Sequence, residues 1–359
     1  MIVHIFAGGL DATLTGRIQP LAKMLAVCGA DCKLIAPINW VQMVKGKLGN
    51  IFSIILTHPF EKYFQTMVDP PDVVIIGRAS TPQIYLFEKF LKDKGVKVIF
   101  DLDDALFLPM SKIFGVNVRS GSFCLEKIVK SADFVTVNGH YLMHYFRALN
   151  EKTGLIHDPV DTNLFNPKTR ITHEKLTIGW EGNPHVHYEN LAILINPLMR
   201  LANEYDVKFK IVSYLGDLRV KEMFSKLEKL MEIDYGIKKW VPIDQFAVLL
   251  SDIDVLVAPL QKTLWYEGKS ALRVGIGMAM GLPVVASPVG EQKYVVKHGI
   301  NGFLAENEDE WYNYLRILIE DDKLRMIFGE KGRKMAEDEL SLEVNGKKLY
   351  EIIKAMVES

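Results

Sequence analysis

A chain of 359 residues with 49% hydrophobic and 24% charged residues can bury a sizeable core, and at roughly 100–200 residues per domain it suggests two domains. A formal charge of −1 excludes a nucleic-acid partner held by bulk electrostatics, while leaving room for a local basic pocket. The three cysteines, Cys28, Cys32 and Cys124, form neither a CxxC pair nor an even-numbered framework; they read as reduced core thiols of a cytosolic protein.

The chain opens with "MIVHIFAGGL", which has no basic n-region or cleavage site and reads as a first strand. "IVHIF", "CKLIAPI", "DVVIIG", "VKVIFD" and "DFVTV" then alternate with longer amphipathic stretches, the pattern of parallel strands joined by crossover helices. At "NPKTRITHEK", Asn166 to Lys175, the pattern stops and turns polar, which predicts a linker between a domain 1–167 and a domain 168–340. A second series follows: "LTIGW", "VKFKIVS", "GIKKWV", "DVLVAPL" and "LPVVAS". Between its first two runs Leu191, Leu194, Ile195, Leu198 and Leu201 keep helical spacing and predict one helix over His187–Glu204. From Glu308 to Ser359 only helices are expected, the last of them, 341–359, packing back on the first domain. The longest uncharged run, Val274 to Gly290, is broken by glycines and two prolines and falls short of the roughly 20 residues of a membrane helix. The fold class is α/β, with two Rossmann-like domains.

Ligands of open α/β sheets bind beyond the carboxyl ends of the strands, so the loops there are the ones to read. "IVHIFAGGLDATLTGRIQPLAKML" is a strand, a glycine-containing loop and a helix from about Gly16, whose free NH groups suit an anion. Arg17 adds a positive charge there, or is a surface arginine on a plain turn. "VKVIFDLDDALF" ends a strand in Asp101, Asp103 and Asp104, which read as a metal site, as acceptors for sugar hydroxyls, or as a helix cap. In "LTIGWEGNPHVHYENL", Gly182 and Asn183 lie between strand and helix, while His185 and His187 read as exposed loop histidines with no third metal ligand. "GIKKWVPIDQF" sets Trp240, Val241 and Pro242 just after a strand, as a wall of a base pocket or as core.

"GKSALRVGIGMAMGLPVVAS" follows the strand "DVLVAPL" and puts Lys269 and Ser270 at a helix start. Lysine, arginine, a hydroxyl and free helix NH groups together suit a phosphate or diphosphate. Lys269 and Arg273, four apart, would share one helical face, and Gly275, Gly277, Ala279 and Gly281 would let the helix approach its neighbours closely. A P-loop is excluded because Thr263 stands where GxxxxGK[ST] needs its first glycine. "GIGMAMG" lies inside a helix and precedes a strand, so it is not a dinucleotide fingerprint.

From "DIDVLVAPL" through this stretch to "HGINGFLAENEDEWYNYLRILIEDDKLR", the chain resembles the family 4 glycosyltransferases, whose GT-B fold faces two Rossmann-like domains across a cleft. "IHDPVDTNLFNP" is similar to the segment entering that family's interdomain linker, and "IFDLDDALF" looks like the version in polysaccharide-assembly members. The resemblance implies a retaining transferase that moves a sugar from a nucleotide-diphosphate-sugar donor, bound by the second domain, to a glycan or lipid-linked acceptor. It implies no cofactor and no metal, a cytoplasmic protein, and at most loose association with the inner face of the membrane. Carried over by residue, Lys269, Arg273 and Asp103 would be catalytic. Gly16, Arg17, Gly182, Asn183, Trp240, Val241, Pro242, Glu267, Gly268, Ser270, Ala271 and Leu272 would bind donor, and Asp104 and Arg78 would lie on the acceptor side. The chain departs from the family where many relatives carry two glutamates eight apart. Gly268 and Ile276 stand there, and isoleucine cannot accept a ribose hydrogen bond. "GWEG" likewise replaces a frequent arginine. A GT-B subunit without transferase activity and a nucleotide-sugar epimerase therefore remain as alternatives, with a nucleotide hydrolase behind them.

Overall fold

The computed structural model of the chain describes residues 1–7, 17–35, 70–78, 80, 82–108, 111–113, 116–118, 124–171 and 173–359. They form two units: Met1–Pro159 with Asn345–Ser359, and Val160–Val344. The division falls at Pro159, ahead of the polar Asn166–Lys175 segment. That segment opens with a 3-10 turn, Pro167–Thr169, capped by the Asn166 side chain.

The first unit is built on strands β1 (Ile2–Ala7), β2 (Asp31–Ile35), β3 (Val73–Gly77), β4 (Lys97–Leu102), β7 (Phe134–Val137) and β8 (Thr153–Leu155), in the order β2-β1-β3-β4-β7-β8. Every pairing in it is parallel. A small antiparallel pair, β5 (Ser111–Ile113) and β6 (Val116–Val118), stands outside that sheet. All five residues of β3 are buried, as expected of a strand covered on both faces by crossover helices. The C-terminal helix Leu342–Glu358 contributes Leu349 and Ile353 to the core that holds Val3, Ile5 and Ile75.

The second unit repeats the architecture with β9 (Thr177–Trp180), β10 (Lys208–Ile211), β11 (Glu232–Tyr235), β12 (Val255–Ala258), β13 (Val284–Ala286) and β14 (Gly302–Leu304), in the order β11-β10-β9-β12-β13-β14. Side-chain alternation along the strands divides its core in two. Val255, Val257 and Val285 join one cluster, with Trp311 and Leu315 of the helix Glu308–Glu320. Leu256, Ala258, Val284 and Ala286 join the other, with Val274, Ile276 and Met278 of the helix Leu272–Ala279. The second helix lies close because Gly277 faces β12: a Cβ there would come within 2.3 Å of Leu256 Cδ2.

Three sequence expectations shift. The single helix over His187–Glu204 is two, Pro184–Ala192 and Ile195–Ala202. Pro197 has no N–H to bond back into a preceding turn, so the chain tightens at Ile193 and Leu194 and starts again. The strand expected at "GIKKWV" lies at Glu232–Tyr235 instead, an edge strand whose polar Glu232 and Asp234 hid it from an apolar-run search. Of the three free cysteines only Cys124 is buried; Cys28 and Cys32 are half-exposed. No described helix is long and apolar enough to cross a membrane.

Candidate functional site: a cation pair at the switch point of the second sheet

Strand order reverses between β9 and β12, so the loops leaving their carboxyl ends diverge and open a crevice there. Trp180, fully buried, ends β9, and Glu181, Gly182 and Asn183 follow. Asn183 caps the helix Pro184–Ala192 by accepting the His185 N–H at 3.1 Å. Gly182 has φ +148°, and a Cβ on it would sit 2.4 Å from Arg273 Nη2 and 2.9 Å from Trp180 Cζ2. Only glycine adopts that backbone and leaves that space.

The space belongs to the Arg273 guanidinium, which lies over the Trp180 ring with Cζ 5.2 Å from its centroid. Glu181 Oε1 is 3.5 Å from Arg273 Nε, an ion pair too long for a good hydrogen bond, and that Nε is buried without an acceptor among the described residues. Burial pulls the Arg273 pKa below its ordinary value against the opposing pull of Glu181. Burial likewise pushes Glu181 up, with Arg273 opposing. A buried cation whose carboxylate partner stands 3.5 Å away gains from an incoming anion, because its desolvation has already been incurred.

Lys269 is not on the helix with Arg273. The helix runs Leu272–Ala279, and Lys269 belongs to the preceding turn, where its amide bonds to the Tyr266 carbonyl. The two cations therefore do not share a helical face; the loop brings them to the same place. Both act on His187, whose pKa falls to about 3, first through burial and then through Arg273 and Lys269. The Lys269 ammonium also lies over the Trp265 ring, 5.1 Å from its centroid. His187 is thus not an exposed loop histidine: its ring is half-buried between Trp180 and Tyr266. His185 is exposed and meets Asp217 Oδ2 at 2.8 Å.

The remaining residues expected on the donor side divide. Ser270 Oγ stands 3.5 Å from the Leu272 N–H, Ala271 is buried, and Leu272 opens the helix. Glu267 pairs with Lys293 at 2.7 Å, and Gly268 closes the turn after it. Trp240, Val241 and Pro242 follow the edge strand β11. Trp240 is 59% exposed, so it is not core, and Pro242 starts the helix Ile243–Leu249. Ile276 is packed in the core at 8% exposure.

In the first unit Gly16 lies outside the described residues. Arg17 is 1% exposed and is no surface arginine: it donates to Asp101 Oδ2 at 2.9 Å and Oδ1 at 2.7 Å, to Asp158 at 3.0 Å and to the Ile156 carbonyl at 2.7 Å. Burial works against the Arg17 cation, but Asp101, then Asp158 and Asp103, hold its pKa above the ordinary value. Thr136 donates to the same Asp101 carboxylate at 2.5 Å. Arg78, at the end of β3 in a left-handed conformation (φ 56°), reaches Asp104 at 2.7 Å and Asp103 at 3.7 Å. The three carboxylates of "DLDD" therefore face guanidinium groups, and no helix begins among residues 103–108 for them to cap. Among the described residues no group of three or more His, Cys, Asp or Glu is placed to hold a metal ion.

Residues 175–321 match the family described as glycosyl transferases group 1. No curated protein matches the sequence. Among solved structures, a glycosyltransferase from Rickettsia africae superposes with a TM-score of 0.75 at 16% identity, over 100% of this chain and 98% of that one. HepE from Anabaena, in complex with UDP and glucose, gives 0.70 at 14%, over 99% and 100%. Sucrose-phosphate synthase from Thermosynechococcus elongatus gives 0.69 at 14%, over 99% of each. The fold is the expected GT-B fold. In the second unit the sequence reading missed Trp180, Glu181 and His187 as parts of the Arg273 surroundings. "GWEG" held the available signal, since a glutamate directly after a buried strand needs a cation and Arg273 was already singled out.

Proposed function

We propose that the chain is a retaining glycosyltransferase that moves a sugar from a nucleotide-diphosphate sugar to a glycan or lipid-linked acceptor, in polysaccharide or cell-surface glycan assembly. The observation that carries the reading is Arg273, buried beside Lys269 at the switch point of a Rossmann-order sheet with its guanidinium short of acceptors. An anion with several oxygens matches that donor set, and a diphosphate leaving group is such an anion. In the transfer, the bond from the anomeric carbon to the diphosphate oxygen breaks as the acceptor oxygen bonds to the same face. The acceptor proton passes to a phosphate oxygen, while Lys269 and Arg273 hold the growing negative charge. Those two cations fill the role that a divalent ion has elsewhere, so neither metal nor other cofactor is required. Gly182, Asn183, Ser270, Ala271 and Leu272 line the donor, Trp240 to Pro242 border the base, and Asp103, Asp104 and Arg78 serve the acceptor. The setting is the cytoplasm, loosely at the inner membrane face.

HepE was solved with UDP and glucose, which makes uridine nucleotides the first donors to try. A thermal-shift panel of nucleoside diphosphates and their sugars, with and without a chelator, tests the reading. A ligand at 100 times its Kd stabilises by about 2.7 kcal/mol. Stabilisation by one nucleotide family that survives chelation, followed by transfer with retained anomeric configuration, is the expected result. Stabilisation by none of them overturns it. Ile276, buried where a ribose-binding acid is usual in the family, favours a second reading as a binding subunit, which turnover of any nucleotide sugar excludes.

A further inference from the structure

His187 sits at a break inside the helix Pro184–Ala192, at φ −107° and ψ 19°. Its ring centroid lies 6.5 Å from that of Trp180 and 6.1 Å from that of Tyr266. The hydrogen-bond pattern behind it determines where its proton resides. Asn190 is fully buried, and the Gln261 backbone N–H donates to its Oδ1 at 2.8 Å. A backbone N–H only donates, so the other end of the Asn190 amide is its NH2. That NH2 lies 2.8 Å from His187 Nδ1 and, carrying only hydrogens, requires a lone pair there. The one proton of the neutral ring is then on Nε2, which has no acceptor among the described residues.

Burial, followed by Arg273 and Lys269, keeps this ring uncharged near neutral pH. An N–H with no acceptor among the described residues, on a ring that feels two cations, suits a negative oxygen. It cannot serve as a base or a metal ligand through Nε2, because that nitrogen has no free lone pair. We propose that His187, as its Nε2–H tautomer, donates a neutral hydrogen bond to a phosphate oxygen of the diphosphate held by Lys269 and Arg273. This rests on the diphosphate reading of the site. It adds a binding residue from the β9 side of the crevice to the two cations from the β12 side.

The test combines binding with the tautomer. Inorganic pyrophosphate, UDP, GDP, ADP and CDP are titrated calorimetrically into the full chain and into His187→Phe and His187→Gln. Phenylalanine keeps the ring packing without the N–H, and the glutamine amide reaches about where Nε2 lies. Hydrogen bonds to charged groups carry enough free energy that His187→Phe should weaken binding about 10- to 100-fold, with His187→Gln within about threefold of wild type. Nitrogen-15 spectra of the unliganded wild type should show the proton on Nε2, with that resonance shifting on addition of pyrophosphate. If no probe binds wild type, the diphosphate reading itself falls and this inference with it. If wild type binds but His187→Phe binds equally well, or the proton is found on Nδ1, the role of His187 is overturned while the diphosphate reading stands. Should His187→Phe not fold, the wild-type resonances decide alone.

Discussion

Replacing Arg17 with methionine removes a cation that ties together the chain after β1, the end of β4 and the segment after β8. The wild-type guanidinium makes two hydrogen bonds to Asp101, one to Asp158 and one to the Ile156 carbonyl, all between 2.7 and 3.0 Å. Methionine fills much of the same volume but leaves Asp101, 3% exposed, with the Thr136 hydroxyl as its remaining side-chain partner among the described residues. Breaking a buried pair by removing one member costs about 3–5 kcal/mol, because the other charge stays buried without compensation. At a urea slope of about 3 kcal/mol per M, the unfolding midpoint should drop by about 1 M or more. Adding Asp101→Asn should recover more than half of that loss, since a neutral amide needs no counter-ion. Urea unfolding of wild type, both single variants and the double variant provides the coupling energy. A midpoint for Arg17→Met within the error of wild type would refute the reasoning, all the more if nucleotide affinity fell instead, because the guanidinium would then be a ligand and not a structural tie.

Lys269→Ala should slow glycosyl transfer by about 10²–10³-fold, the usual consequence of losing one charge contact to a developing anion, with an unchanged circular dichroism spectrum. Turnover close to wild type would remove Lys269 from the site. Gly182→Ala would place a Cβ 2.4 Å from Arg273 Nη2 at a φ that L residues rarely adopt; about 1–3 kcal/mol of stability and most nucleoside diphosphate affinity should be lost together. Calorimetry showing intact affinity would mean that the guanidinium does not meet the ligand. Burial and then Lys348, His140 and Arg17 lower His157 to about 4, as burial and the two site cations lower His187 to about 3. Unfolded histidine binds its proton near pH 6.5, so the unfolded chain holds more protons across the interval and stability rises with pH through it. The contribution is complete above about pH 6.5 and is lost on acidification, at up to about 1.4 kcal/mol per pH unit for each ring. His157→Gln and His187→Gln should each flatten the acid limb of a urea-derived stability profile; an unaltered limb counts against the buried neutral rings.

Strands buried on both faces were legible because their β-branched runs are local and nearly continuous; "DVVIIG", "DVLVAPL" and "LPVVAS" contain β3, β12 and β13. Edge strand β11 was not, because one side of Glu232–Tyr235 meets no neighbour and keeps polar residues, while the apolar "WV" farther on attracted the assignment. The cation pair was legible as a pair but not as geometry: a spacing of four implies a shared face only inside a helix, and Lys269 precedes the helix. The surface alternative for Arg17 and the exposed-loop reading of His187 failed for one reason. Burial of a polar side chain is determined by partners remote in sequence, Asp158 in one case and Tyr266 in the other, and no local pattern reports them.

Arg333 donates through Nη1 to the carbonyls of Ala279, at 2.6 Å, and Phe165, at 2.7 Å, so it clasps the last residue of the helix Leu272–Ala279 to the chain that enters the second unit. The opposite end has no side-chain cap on Ala271, and the Leu272 amide meets Ser270 Oγ only at 3.5 Å. One end of this rod is held by a side chain and the other is not. Ligand-driven adjustment should therefore be concentrated in the turn that carries Lys269, and amide deuteration should run fast near Leu272 and slow near Ala279. The strands behind it would stay still while the mouth tightens.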